Sequence, residues 1–189
     1  MTGGGLGAFL ISSRYQSTVY PPPRKLNINS LLLTRTPQDN AYTLVEFLDY
    51  QCPPCRATYK RLPKILTAQE KQVNILIRNF PLESHKGSMF AAMAAEASRE
   101  QGKFDTFHSL LITLDDFSEE SIYSLVGRSG MDKERFQRDL HKSAERRVLE
   151  DLQCAKSLGV NSTPSFFLCT PEGSVYRLYS PNQIKGLVR

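Results

Sequence analysis

Tyr42-Thr43-Leu44-Val45-Glu46-Phe47-Leu48-Asp49-Tyr50 runs directly into Gln51-Cys52-Pro53-Pro54-Cys55. The first nine residues are nearly all apolar or β-branched, the pattern of a strand covered on both faces. From Pro53 the pattern turns helical. Proline is tolerated in a first turn, and Ala57, Tyr59, Leu62, Ile65 and Leu66 recur on a loosely amphipathic face. Val73 to Phe80 then alternates, with Val73, Ile75 and Ile77 on one side and Asn74, Leu76 and Arg78 on the other, which predicts a second strand. Strand, helix and strand make one unit, with a right-handed crossover.

Further along, residues 86–157 contain no convincing strand. They hold helical patterns at Met89–Gln101, Lys103–Leu114, Glu119–Arg128 and Asp132–Leu158, separated by Gly102, Asp115-Asp116 and Gly130. Ser165–Cys169 and Ser174–Tyr179 flank Pro171-Glu172-Gly173 and predict a hairpin, with a short closing helix over Asn182–Val188. Towards the N-terminus, Gln38-Asp39-Asn40 reads as a turn, Leu26–Thr34 as an added edge strand, and Tyr20-Pro21-Pro22-Pro23-Arg24 as a stiff polyproline linker after a disordered tail. The expected organisation is an N-terminal extension over 1–40 and an α/β domain over 41–189. In that domain, core segments 41–85 and 158–189 enclose an all-helical insertion at 86–157.

A chain of 189 residues suits one such domain. The net charge of +5 leaves basic residues interleaved with acidic ones, as in Lys133-Glu134-Arg135-Phe136-Gln137-Arg138-Asp139, rather than gathered in a stripe. This argues against nucleic acid as a partner. The longest apolar stretch near the start, Leu6 to Ile11, is interrupted by glycine and reads as a poor secretory signal.

Four cysteines are too few for a disulfide scaffold, so the close pair needs its own explanation. Residues i and i+3 in a first helical turn share a face, and two cysteines there can pass between dithiol and disulfide without refolding the domain. Cys52, at the helix start, is expected to be the exposed attacking sulfur, favoured as thiolate by the helix dipole. Cys55, one turn in, is expected to be the buried resolving one. Pro53 and Pro54 each lack an N–H, which removes two donors from the neighbourhood of Cys52. A moderate rather than extreme oxidant follows, with Arg56 offsetting part of the loss. Glu46, inside a doubly covered strand, is a candidate proton acceptor for Cys55, with burial raising its pKa. Asp49 is read as exposed and without a catalytic role. Cys154 and Cys169 form either a second, structural disulfide or two buried thiols. His85, His108 and His141 are scattered and there is no second close cysteine pair, so no metal site is expected. Nor is an organic cofactor, because the sulfur pair itself carries two electrons.

Leu44–Cys55, then Arg78-Asn79-Phe80-Pro81-Leu82, then Gly159-Val160-Asn161-Ser162-Thr163-Pro164-Ser165-Phe166-Phe167 resembles the DsbA-like thiol-disulfide oxidoreductases of the thioredoxin superfamily. The order of strand, Cys-x-x-Cys, helix, helical insertion and Thr-Pro before a hairpin carries the resemblance. It implies a thioredoxin-like fold and a cis bond at Thr163-Pro164, although X-Pro bonds in general are cis only about 5–6% of the time. It also implies substrate contacts at Thr163, Pro164, Pro53 and Pro54, with the Thr163 backbone pairing to an extended client segment. Glu46 takes the place of the family's buried acid. Family members typically donate disulfides to unfolded extracytoplasmic proteins and are recharged by a quinone-linked membrane partner, while relatives work as reductases or isomerases. A further alternative is a non-catalytic peptide-binding module on the same fold. The Pro-Pro dipeptide departs from the histidine-bearing one common in the family.

Overall fold

The computed structural model describes residues 20–26, 41–69 and 72–188. Its elements are β1 (Arg24–Leu26), β2 (Tyr42–Leu48), α1 (Pro53–Thr67), β3 (Val73–Asn79), α2 (Ser88–Arg99), α3 (Phe104–Leu111), α4 (Glu119–Arg128), α5 (Lys133–Asp139), α6 (Glu145–Ser157), β4 (Ser165–Cys169) and β5 (Val175–Leu178). A 3-10 turn at Pro181–Ile184 follows. The five strands form one sheet in the order β1-β5-β4-β2-β3. Only β2 and β3 run parallel, joined by the α1 crossover; β4 and β5 return as an antiparallel hairpin.

All seven residues of β2 are buried, as its unbroken apolar run requires. Alternation along the strand sends Tyr42 and Leu44 towards α1, where they meet Leu62, Phe166, Leu168 and Ile184. Val45 and Phe47 go to the other face, against Cys154, Ala155 and Phe167. By the same period of two, Glu46 falls on the α1 face between Leu44 and Leu48. The helical stretch expected as an insertion over 86–157 thus ends in α6, a helix that itself covers the second face of the sheet. The larger core lies among α2, α3, α4 and α5, with Ala91, Phe107, Ile122, Leu125 and Phe136 enclosed, and it reaches Leu48, Cys52 and Cys55.

A buried polar network fastens these layers. Arg78 on β3 is paired to Asp151 on α6 at 3.0 Å. The backbone N–H of Asn79 donates to Asp151 at 2.9 Å, and its side chain donates to Glu96 on α2 at 2.9 Å. Arg99 closes onto Glu96 at 3.2 Å. Buried charges persist when they are paired, as Arg78 is with Asp151 and Arg99 with Glu96, although Arg78 Nε, Asn79 Oδ1 and Arg99 Nη2 find no hydrogen-bond partner among the described residues.

The helix expected over Asp132–Leu158 is α5, a π-helical turn at Leu140–Ala144 and then α6; Asp132 caps α5 by accepting from Arg135 N. The closing helix shortens to the 3-10 turn, whose Ser180 and Gln183 form a capping box. In the N-terminal extension, β1 begins at Arg24, inside the expected linker, and pairs antiparallel with β5 at the sheet edge. The Pro21 carbonyl accepts from Gln183 Nε2 at 2.6 Å, so this proline segment is docked rather than a free spacer. The remainder of the expected edge strand lies outside the described residues, as does most of the tail.

Candidate functional site

The site forms where β2 ends. Phe47 pairs with Ser165, the first residue of β4, so the loop before β4 meets the chain that leaves β2. The Thr163-Pro164 bond in that loop is cis. Asp49, Tyr50 and Gln51 turn the chain, Cys52 N donates to Asp49 O at 3.1 Å, and Cys52 takes the cap position of α1 with Pro53 behind it. The thiol of Cys52 donates to the Thr163 carbonyl at 3.4 Å. Cys52 and Cys55 thereby share one face with Thr163 and Pro164, which lie more than a hundred positions further along the chain.

Two expectations about the cysteines change in detail. Cys52 is not an open thiol: it is 5% exposed against 1% for Cys55, so both are buried, in the expected order. Arg56 does not turn to Cys52; its guanidinium is engaged with Asp115 at 3.0 Å. Burial pushes the Cys55 thiol strongly upward, opposed by the Asp49 backbone and the Thr163 hydroxyl. Among the described residues that buried hydroxyl is engaged by no other group, so it is available to a thiolate formed at Cys55.

Burial also raises Glu46, from 4.5 to about 8. Its carboxyl opens into a cavity of about 150 Å³ that Cys55 also lines, walled by Leu48, Leu62, Ile77 and Ile112. A neutral acid beside a neutral thiol in an apolar pocket is suited to proton exchange near neutral pH.

Asp49 corrects the sequence reading most clearly. Expected at the surface, its side chain is fully enclosed. It accepts from Gln51 N at 2.7 Å, Leu82 N at 2.8 Å and lies 2.8 Å from His85 Nδ1. Gln51 in turn accepts from Gly87 N at 2.9 Å. A β-carbon on Gly87 would meet the Phe117 carbonyl at 2.5 Å, so only glycine lets the loop approach this closely. These contacts fix the loop that presents Cys52. The Asp49 to Gln51 N–H bond is an Asx turn, a local feature that aspartate favours, but the burial of Asp49 rests on Leu82 and His85.

Cys154 and Cys169 sit together in the apolar cluster on the α6 face, and none of the four cysteines is in a disulfide in the structure. Cys169 pairs with Thr43, at the opposite end of β2 from Cys52. Five strand residues separate the two regions, about 17 Å, so the pairs cannot exchange within one molecule.

A family model described as thioredoxin matches residues 38–184. The chain therefore belongs to the thioredoxin family, and its structural neighbours are DsbA-like thiol-disulfide oxidoreductases. A thioredoxin-like oxidoreductase from Silicibacter pomeroyi DSS-3 is 28% identical with a TM-score of 0.67, over 89% of this chain and 91% of that one. The thiol-disulfide exchange protein alpha-DsbA2 from Wolbachia pipientis is 25% identical with a TM-score of 0.63, over 80% and 82%. Among curated proteins, a Na(+)/H(+) antiporter NhaA 1 from Mycobacterium sp. (strain KMS) is 34% identical over 135 residues. That match takes in 69% of this chain but only 22% of the antiporter's length. Among the described residues no helix is long and apolar enough to cross a membrane.

Proposed function

We propose that the chain is a disulfide donor that oxidises protein thiols through Cys52 and Cys55. The observation that carries this reading is the convergence on one face of the two sulfurs and the Thr163-Pro164 segment, above a buried acid that shares a cavity with Cys55. A client thiolate attacks Cys52 Sγ of the Cys52–Cys55 disulfide, the S–S bond breaks, and Cys55 leaves as a thiolate that takes a proton from Glu46. A second client thiolate attacks the client sulfur of the mixed disulfide and releases Cys52. The client loses two electrons and the pair gains them. Recharging runs in reverse: Cys52 attacks a disulfide of the recharging partner to form a mixed disulfide, then Cys55 gives its proton to ionised Glu46, attacks Cys52 Sγ and displaces the partner's sulfur as a thiolate, so that the two electrons pass to the partner. Burial keeps Cys55 protonated at rest, so a local base is needed for that step.

An extended client segment pairs with the Thr163 backbone, whose carbonyl already accepts from Cys52, while Pro164, Pro53 and Pro54 form the apolar contact around the sulfurs. The site of action is extracytoplasmic, periplasmic or at a membrane surface, and recharging falls to a quinone-linked membrane partner. The test is oxidative refolding of a reduced, disulfide-requiring client. Oxidised wild type restores client activity and Cys52→Ser does not, while Cys55→Ser traps a client on Cys52 that reductant releases. Unchanged client activity with Cys52→Ser would leave a peptide-binding module as the better reading.

A further inference from the structure

Burial holds Glu46 protonated near neutral pH, so it can act as the base for Cys55 only after its own proton has reached solvent, and its immediate surroundings offer little help. Among the described residues no protein group hydrogen-bonds its carboxyl. The parallel register sets Ile77 opposite Glu46, and Ile75 follows on the same face; neither carries a proton. The cavity is the remaining route. Glu46, Cys55 and His108 are its buried titratable members, whereas Pro63, Ile75 and Asp105 are exposed and form its mouth. Its volume of about 150 Å³ has room for roughly five water molecules at liquid density.

His108 enters this cavity from α3, and everything around it fixes its orientation. Phe104 stacks on the ring at 5.3 Å, and Tyr50 and Tyr59 set their rings edge-on at 5.5 and 5.4 Å. Nδ1 lies 2.9 Å from the Tyr50 hydroxyl. With the Tyr50 phenol held protonated by burial, it is placed to donate to Nδ1, an arrangement that leaves the ring proton on Nε2. Burial and the Arg99 guanidinium push His108 down to about 4, keeping the ring neutral. The titratable and charged groups around it are Glu46 on β2, Cys55 and Tyr59 on α1, Asp105 on its own helix, Tyr50, and Arg99 with Glu96 on α2.

We propose that His108 is a positioning residue for Glu46: its fixed Nε2–H donor holds the cavity water through which Glu46 exchanges its proton with solvent past Pro63 and Asp105. No covalent bond changes at His108. A proton released by Cys55 passes to the Glu46 carboxylate, then to the held water, and leaves by the mouth. This rests on the reading of Glu46 as the proton partner of Cys55.

The experiment follows, from pH 5 to 9, the rate at which Cys55 resolves a mixed disulfide between Cys52 and glutathione. It uses the full chain as wild type, His108→Met, His108→Gln, Tyr50→Phe, Glu46→Gln and the Glu46→Gln/His108→Met double variant. His108→Met is expected to slow resolution about tenfold and move the inflection to higher pH, and His108→Gln, which keeps a donor near Nε2, to stay within about twofold of wild type. Tyr50→Phe keeps both rings but frees the tautomer, and is expected to move the profile in the same direction as His108→Met, which keeps the test open should the methionine variant fail to fold. In the Glu46→Gln background His108→Met is expected to add nothing. Equal slowing by His108→Met in both backgrounds, or no effect of His108→Met and Tyr50→Phe on the wild-type profile, would overturn the role of His108 alone. A wild-type profile in Glu46→Gln would instead remove the reading of Glu46 on which the inference stands.

Discussion

The two faces of the β2–β3 pair each bury an acid and at least one cysteine, yet they are built in opposite ways. On the α6 face Asp151 is matched to Arg78 and Asn79, and Cys154 and Cys169 are packed among Val45, Phe47, Phe167 and Val175. On the α1 face Glu46 has no such match among the described residues, and Cys55 beside it opens into a cavity. Burial of a thiol or a carboxyl is therefore common to both. The redox face is set apart by the unpaired acid, the space beside it, and the position of Cys52 at a helix start against the Thr163 carbonyl. The paired face holds the fold together, while the unpaired face gives up stability for proton transfer.

Exchanging the cysteines tests this contrast with the largest effect. Cys52→Ser is expected to reduce disulfide transfer to the uncatalysed background, whereas Cys154→Ser and Cys169→Ser are expected to stay within about twofold of wild type in the same client-refolding assay. Alkylation after unfolding without reductant, read by mass spectrometry, is expected to label both Cys154 and Cys169. A bridge between them would remove that label and add a structural link to the α6 face.

The acids differ in sign. Arg78→Met leaves Asp151 buried and uncompensated, and denaturant unfolding is expected to show a loss of about 3–5 kcal/mol. Glu46→Gln is expected to do the reverse. Folding raises this carboxyl from 4.5 to about 8, so the folded state binds the extra proton between those values. Stability then falls as pH rises through that window, by up to about 1.4 kcal/mol per unit. The amide variant escapes the penalty: a gain of about 2–4 kcal/mol at pH 7, vanishing near pH 4, is expected in urea titrations of the reduced protein. A pH-independent difference would mean that Glu46 is not held neutral by burial.

The smallest effect concerns the dipeptide. Pro54→His restores one backbone N–H near Cys52, and the reduction potential is expected to become more oxidising by about 30–60 mV, measured in glutathione buffers. An unchanged potential would show that the missing donors do not set the poise.

Much of this contrast was legible in the chain. The apolar run over β2 and the proline that opens α1 each dictate local structure strongly enough to be read directly, whereas the cis bond at Thr163-Pro164 was expected from the family resemblance, against the general trans preference of X-Pro bonds. Glu46 announced itself because a carboxylate in a doubly covered strand is costly wherever it lacks a partner. Asp49 and His108 were not legible in the same way. The burial of Asp49 depends on donors at Leu82 and His85, and His108 acquires its place only when α3 packs against Tyr50, contacts set by tertiary structure and not by spacing. The pairing of Arg56 with Asp115 was not legible for the same reason, since Asp115 belongs to the loop after α3. The docking of Pro21 on Gln183 joins residues 162 positions apart and has no local signature at all.

The reduction potential of the Cys52–Cys55 pair, obtained by equilibrating the protein in graded glutathione buffers and trapping thiols, tests the donor reading most directly. The account predicts a value between about −210 and −130 mV, above the glutathione poise yet short of the most oxidising family members. A value near −270 mV, in the range of thioredoxin-like reductants, would contradict it.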